Sequence, residues 1–293
     1  MNKYLIFRTD RIGDFLVSAI LIKCIKANDP KAHIIVVASR KNSSYIKTFP
    51  YVNQVIQLED NFLSKVNVLY RLFKFKYKSI IIHDGKKRSN YISYFLKSEI
   101  KINILDFQKI SHIQIIKKIL EKIKFSYFDD SLNTLKHRGY DKFNKKCFIQ
   151  FHFDEKWIYK DYIKKFINIE PTENELLSFF EKIIKKNKKN IIITTGLNLP
   201  NKIKKIESVL SELKIRVYKN LDFLELEKIT SQSNLLISCH GAISHIAAAN
   251  NIKQIDIIDK SYNYSKWTNH FRNYNYLYRD NFSELSDRII DLI

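Results

Sequence analysis

Acidic residues, glycine, proline and cysteine are all scarce in this chain. Against 51 Lys and Arg stand 30 Asp and Glu, a formal charge of +21 over 293 residues. Such a field favours anionic partners: phosphates, nucleic acid or an acidic membrane surface. The same richness in Lys, Asn and Ile is what an AT-rich genome yields without selection for binding. Only 5 Gly and 4 Pro occur, and they form no Gly-x-Gly-x-x-Gly turn, Walker loop or nucleophile elbow, so kinase, dehydrogenase and hydrolase readings lose their main support. No Asp-x-Asp pair is present to hold a divalent cation on a sugar nucleotide. Neither a metal nor any other cofactor is therefore expected. Cys24, Cys147 and Cys239 are odd in number, far apart and set in apolar surroundings, which excludes a disulfide framework and predicts a reducing cytoplasm. The longest apolar stretch near the start, Phe15 to Ile25, is broken by Lys23 and is too short to span a bilayer, and no basic leader precedes it. Membrane contact is expected to be peripheral, on an acidic inner surface. Helix-turn-helix, zinc-ligand and aromatic-basic signatures are missing and the lysines are spread along the whole chain, so no nucleic acid is expected as partner.

What is present points to two α/β domains. The length suits two domains of about 150 residues each, and 45% hydrophobic content suits a folded chain. Short β-branched runs alternate with longer amphipathic segments, the pattern of a parallel sheet flanked by helices. Strands are predicted at Lys3 to Phe7, His33 to Ala38, Gln54 to Leu58, Ser79 to Ile82, Lys101 to Leu105 and Phe148 to Phe153. A second series runs through Asn190 to Thr194, Lys214 to Tyr218, Asn234 to Ser238 and Gln254 to Ile258. Helices are expected at Phe15 to Ala27, at Asp154 to Ile167, and at Phe282 to Ile293, the last packing back on the first domain. The expected domains are 1–150 and 151–293, doubly wound and facing a central cleft where such folds bind ligands.

Three segments carry candidate chemistry. The first, Arg8-Thr9-Asp10-Arg11-Ile12-Gly13-Asp14, joins a strand to a helix; Gly13 would let a ligand approach the main chain, and Asp14 sits where free amides hold a carboxylate. An aspartate so placed serves as an ordinary N-cap or as a fixed acceptor suited to taking a proton. The second, His83-Asp84-Gly85-Lys86-Lys87-Arg88-Ser89, follows the fourth strand. There a glycine turn brings the backbone close to a ligand and Arg88 can grip a carboxylate or phosphate with a forked pair of hydrogen bonds. The third runs from Ser238 to Ala249 through His240, Gly241, Ala242, Ser244 and His245, where a helix start offers amides to a diphosphate.

In order and spacing these segments resemble the heptosyltransferase family, glycosyltransferase family 9. That family opens with a strand, a basic or hydroxyl loop and Gly-Asp, and the resemblance implies that Asp14 is the general base. The Gly85 loop is similar to the one lining the acceptor side, which implies Arg11, Asp84, Gly85 and Arg88 as acceptor contacts; Ile82 stands where the family carries an acid. The third segment is similar to the C-terminal signature, an acid, a hydroxyl residue and glycine before His and an alanine-rich run. Alignment on Ser244-His245 puts His240 at the acidic position, Gly241 at the hydroxyl and Ala242 at the glycine. Leu221 to Ile229 resembles the helix that precedes the signature. Thr194-Thr195-Gly196 lies where the family contacts donor phosphates, with Leu197-Asn198-Leu199-Pro200 intervening before Lys202. The resemblance thus implies Gly13, Thr194, Thr195, Lys202, His240, Gly241, Ser244 and His245 as donor contacts. It also implies a GT-B fold, an N-terminal acceptor domain and a C-terminal nucleotide-sugar domain. The activity implied is metal-independent, inverting transfer of a heptose or related hexose from a nucleotide diphosphate donor to a glycolipid or oligosaccharide acceptor, in lipopolysaccharide or another surface glycan. The alternative classes are a noncatalytic nucleotide-sugar sensor and a basic nucleic-acid-binding protein.

Overall fold

A computed structural model describes residues 1–293 except 108, 141–147, 159–163, 188 and 197. Cys147 and Leu197 thus lie outside the described residues. The chain divides into two compact units, Met1–His137 with Ser265–His270, and Arg138–Tyr264 with Phe271–Ile293. The division falls at 138, where the sequence predicts 150, and a short return segment is added to the first unit.

The first unit runs β1 (Lys3–Arg8), α1 (Ile12–Asn28), β2 (His33–Ala38), α2 (Ser43–Lys47), β3 (Gln54–Gln57), α3 (Phe62–Phe73), β4 (Lys76–Ile82), α4 (Lys87–Tyr94), β5 (Lys97–Asn103) and α5 (His112–Lys122). Its sheet is parallel in the order β3-β2-β1-β4-β5. Central β1 pairs Leu5 with both Ile35 and Ile80, and residues 4–7 are all buried, as expected of a strand covered on both faces. Leu5, Phe7, Ile35, Val37, Ile80 and Ile82 share one core with Val68 and Leu72 of α3. Lys23, which interrupts the apolar helix, gives its ammonium to the carbonyls of Asp130 and Asn133 at 3.0 and 2.9 Å; burial pushes it below the usual lysine range.

The second unit runs β6 (Phe148–Phe153), α6 (Glu173–Asn187), β7 (Asn190–Thr195), α7 (Asn201–Lys205), α8 (Glu207–Glu212), β8 (Arg216–Tyr218), α9 (Phe223–Ser231), β9 (Ser233–Cys239), α10 (Ala242–Ala249) and β10 (Lys253–Ile258). After α11 (Ser265–Thr268), which belongs to the first unit, it closes with β11 (Tyr274–Tyr278) and α12 (Phe282–Leu292). Its sheet is also parallel, in the order β11-β10-β9-β6-β7-β8. Phe151, Phe153, Trp157, Phe179, Phe180 and Phe282 form its aromatic core, and the Trp157 indole N–H donates to the His152 carbonyl at 2.8 Å. Such aromatic pairs add about 0.5–1.5 kcal/mol beyond their buried area. The terminal helix, expected to pack back on the first domain, gives Phe282, Leu285 and Ile289 to this core. The helix expected over Asp154 to Ile167 is also corrected: residues 154–158 and 164–167 form turns and irregular chain, and the residues between them lie outside the described set.

Each sheet reverses its winding once, between β1 and β4 and between β6 and β9. Ligands of open parallel sheets bind beyond the carboxyl ends of the strands at such switch points. All three candidate segments follow one of these four strands.

Candidate active site

In the first unit the loop after β1 is braced before α1 begins. The Asn42 amide donates to the Arg8 carbonyl at 2.9 Å, Ser39 Oγ to the Asp10 carbonyl at 2.9 Å, and Lys86 Nζ to the Thr9 carbonyl at 2.9 Å. Helix α1 starts at Ile12, earlier than the sequence predicts, so Asp14 lies inside the first turn rather than at the N-cap. Its Oδ2 accepts from the Arg11 N–H at 3.0 Å. Gly13 is a buried residue of that turn. The left-handed glycines among the described residues are Gly85 and Gly139, and Gly13 is not one of them.

The loop after β4 locks onto this one. Asp84 Oδ2 accepts from Thr9 Oγ1 at 2.6 Å and from Ser89 Oγ at 2.7 Å, while Oδ1 accepts from the Lys86 N–H at 3.1 Å. Gly85 turns there with φ +61°. Arg88 donates to Thr9 Oγ1 at 3.0 Å and pairs with Asp60. Arg11, Asp14, Asp84 and Arg88 therefore line one cavity of about 720 Å³, with Arg8, Arg40 and Lys86 among its other walls.

Arg8, His112 and Trp267 of this cavity were not singled out from the sequence. Arg8 is 2% exposed, donates from Nε to Ser18 Oγ at 2.7 Å and reaches Asp10 at 3.2 Å. Ser18 Oγ in turn lies 2.6 Å from His83 Nδ1; burial and the Arg8 charge push the His83 imidazole well below its ordinary value. His112 lies with its ring centre 3.8 Å from that of Trp267, and burial with the nearby Arg8 guanidinium pushes it down to about 3. The Arg8 position in the first motif was a signal; nothing in the sequence links Trp267 to a loop so far upstream.

In the second unit His240, Gly241, Ser244 and His245 come together after β9, with the ring centres of His240 and His245 5.7 Å apart. Two residues that sequence reasoning passed over complete the group. Asp256, fully buried on β10, accepts from Ser244 Oγ at 2.9 Å and lies 2.5 Å from His240 Nδ1. Lys156, in the loop after β6, pairs with Asp154 and sits against Gly241, where a Cβ would come within 2.7 Å of its Nζ. Burial alone would raise the Asp154 carboxyl, but the Lys156 ammonium and the His152 ring outweigh it and hold it well below the usual range. A carboxylate inside the apolar run Gln254 to Ile258 was the signal for Asp256, since buried acids are rare unless paired.

Two sequence-predicted donor contacts have partners within their own unit. Thr194 is a buried strand residue whose Oγ1 accepts from Gln150 Nε2 and meets His152 Nδ1, both at 2.9 Å; its hydroxyl is spent inside the sheet. Lys202 lies on α7 with its ammonium 4.0 Å from Glu173, whereas the lysine shown against Gly241 is Lys156. Thr195 ends β7 beside Gly196, its Oγ1 donating to the Gly196 carbonyl at 3.1 Å.

Neither a protein-family model nor a curated sequence matches the chain. Solved structures do. Escherichia coli heptosyltransferase WaaC with ADP superposes with a TM-score of 0.77 at 11% identity, covering 99% of this chain and 98% of that one. The fold is GT-B. A family 9 glycosyl transferase from Veillonella parvula gives a TM-score of 0.68 at 12% identity over 99% and 91% of the two chains. The UDP-GlcNAc 2-epimerase of Methanocaldococcus jannaschii gives 0.57 at 12% over 100% and 92%. The GT-B chain thus shares its architecture with heptosyltransferases at almost full length, which is the fold the sequence motifs implied.

Proposed function

We propose that this GT-B protein is an inverting glycosyltransferase that moves a sugar, a heptose or related hexose, from a nucleotide diphosphate donor to a glycolipid or oligosaccharide acceptor. The observation that carries the reading is Asp14, a carboxylate set in the first turn of α1 and lining a cation-rich cavity at the switch point of the first sheet. The first unit takes the acceptor in this reading, with Arg11, Arg88 and the Gly85 loop orienting it. Asp84 acts at one remove, holding Thr9 and Ser89 in place. The second unit takes the donor. WaaC was solved with ADP, and an ADP-linked sugar is the first donor to try here.

Asp14 removes the proton of the acceptor hydroxyl as its oxygen bonds to the anomeric carbon; the bond from that carbon to the phosphate oxygen breaks and its electron pair leaves with the nucleoside diphosphate. Lys156 and the amides at the start of α10 balance the charge that develops there, a role that preorganised donors fill without reorganising. No divalent cation is required by this scheme. His240, held by Asp256, takes the place of the acid in the family signature.

One feature favours a second reading. His240, Gly241 and Ala242 replace the signature residues of the family, as they would in a noncatalytic nucleotide-sugar sensor. Incubating the protein with a panel of nucleotide sugars, with and without a mixed glycolipid extract, separates the two. Acceptor-dependent release of nucleoside diphosphate supports the transferase, whereas donor binding without turnover supports the sensor. Release that needs no acceptor points to epimerase-like or hydrolytic chemistry and contradicts both.

A further inference from the structure

The first unit carries a second, apolar groove that the proposed reaction does not use. Along α3, Val68 and Leu72 enter the core, while Phe62, Val66, Tyr70 and Phe73 form a separate stripe that faces solvent, with Tyr70 82% exposed and Phe62 76%. Their spacing of four, four and three residues keeps them on one side of the helix. Helix α4 adds exposed Tyr91, Tyr94 and Phe95, whose rings meet at 5.2 and 5.5 Å. A groove of about 630 Å³ between the stripe and these rings is walled by Phe62, Val66, Tyr91 and Phe95, with Lys65 and Arg88 beside them. Apolar side chains left in water forgo the stabilisation of burial, and contiguous exposed apolar patches mark interaction sites.

Charge says what meets the patch. Residues 59–103 hold ten Lys and Arg against Glu59, Asp60, Asp84 and Glu99, and of these acids Asp60 is occupied by Arg88, Glu99 by Lys78 at 2.6 Å and Asp84 by Thr9 and Ser89. A two-fold contact with a second copy would set this positive segment against itself. Aromatic rings flanked by lysines suit the interfacial zone of an anionic bilayer, where the rings enter below the headgroups and the ammonium ends stay among the phosphates. Among the described residues no helix is long and apolar enough to cross a membrane, so contact of this kind lies along the surface.

We infer that α3 and α4 form a docking face for an anionic phospholipid bilayer. Phe62, Tyr70, Phe73 and Tyr91 enter the interface, and the surrounding lysines and arginines meet the headgroups. Arg88 lines both this groove and the Asp14 cavity, so the dock brings that cavity to the headgroup layer, where a lipid-borne acceptor is presented. That last consequence rests on the transferase reading; the dock itself does not.

The test is co-sedimentation of the full chain with vesicles of phosphatidylcholine alone and of phosphatidylcholine mixed with phosphatidylglycerol, without any donor. Binding is expected on the mixed vesicles and weakened by salt, and Tyr70→Ser with Phe73→Ser is expected to weaken it about tenfold or more without lowering the melting temperature. A Tyr70→Trp reporter is expected to shift its emission to the blue on the mixed vesicles. No partition, equal partition on both vesicle types, or undiminished binding by the double variant overturns the inference. So does a dimer that the double variant dissolves in a protein that ignores vesicles. A protein that turns over donor but does not partition loses only the dock, and one that partitions without turnover loses only the transferase reading.

Discussion

Asp256 Oδ2 lies 2.5 Å from His240 Nδ1, and the same carboxylate accepts from Ser244 Oγ at 2.9 Å. A buried acid on β10 thus fixes the ring of His240, which follows β9, and the hydroxyl of Ser244 on α10. With Nδ1 turned to Asp256, Nε2 is the ring nitrogen left to face a ligand.

Removing that orientation is expected to weaken donor binding. Asp256→Asn keeps the size but replaces the acceptor of the His240 bond, and nucleotide-sugar affinity measured by calorimetry should fall about tenfold, the scale of an orienting hydrogen bond to a charged group. His240→Asp, which writes the family acid back into the signature, should not restore function, because it sets a second carboxylate against Asp256. Donor affinity in His240→Asp at or above wild type would refute the pairing.

Lys156 rather than Lys202 should carry the donor diphosphate. Lys156→Met is expected to weaken nucleoside diphosphate binding about tenfold or more and also to destabilise the unit, since buried Asp154 loses its cationic partner. Adding Asp154→Asn should recover much of the stability and none of the affinity. Lys202→Met should leave both unchanged within error, as a half-exposed lysine 4.0 Å from Glu173 contributes little.

Gly85 should resist substitution for two separable reasons. Its φ is +61°, and a Cβ there would stand 3.2 Å from Leu105 and 3.3 Å from Ile104. Gly85→Ala is expected to cost about 1–3 kcal/mol in urea denaturation.

Acid should weaken the first unit before it affects paired carboxylates. His83 is held well below its ordinary value, His112 is pushed to about 3 and His270 to about 4, each chiefly by burial. Each is neutral when folded and takes a proton near pH 6.5 when unfolded, so the unfolded state binds more protons below that pH. Stability is complete above about pH 6.5 and falls as the pH drops toward 4, by up to about 1.4 kcal/mol per pH unit for a fully buried histidine. Melting temperatures between pH 7 and 4.5 check this, and His112→Gln should flatten the slope.

Legibility in the sequence followed burial. Strands covered on both faces announce themselves as apolar runs, and β1, β2 and β9 lie within a residue of where those runs predict them. Two edge strands are different. β5 begins with Lys97-Ser98-Glu99 and runs over Lys97–Asn103, whereas the apolar signal placed it at Lys101 to Leu105. β11, Tyr-Asn-Tyr-Leu-Tyr, gave no strand signal at all because only Leu277 is buried. An edge strand needs only one partner and one covered face. At the site, local motifs revealed Asp14, the Gly85 turn and the His240 helix start, whose residues are contiguous. Lys156, Asp256 and Trp267 were hidden because their partners are distant in sequence and only the parallel winding brings them together. Thr194 misled for the converse reason: a hydroxyl at a strand end looks available until Gln150 and His152 of the neighbouring strand are seen to take it.

The most direct test of the central claim is nucleoside diphosphate release by the wild type and Asp14→Asn, each with the donor it binds and a glycolipid extract. Asparagine can still accept from the Arg11 N–H, so folding and donor affinity should persist, while turnover should fall about 10²–10⁴-fold, the range of a lost general base. Equal turnover in the two proteins, or a parallel loss of donor binding and turnover, would contradict the assignment of Asp14 as the base.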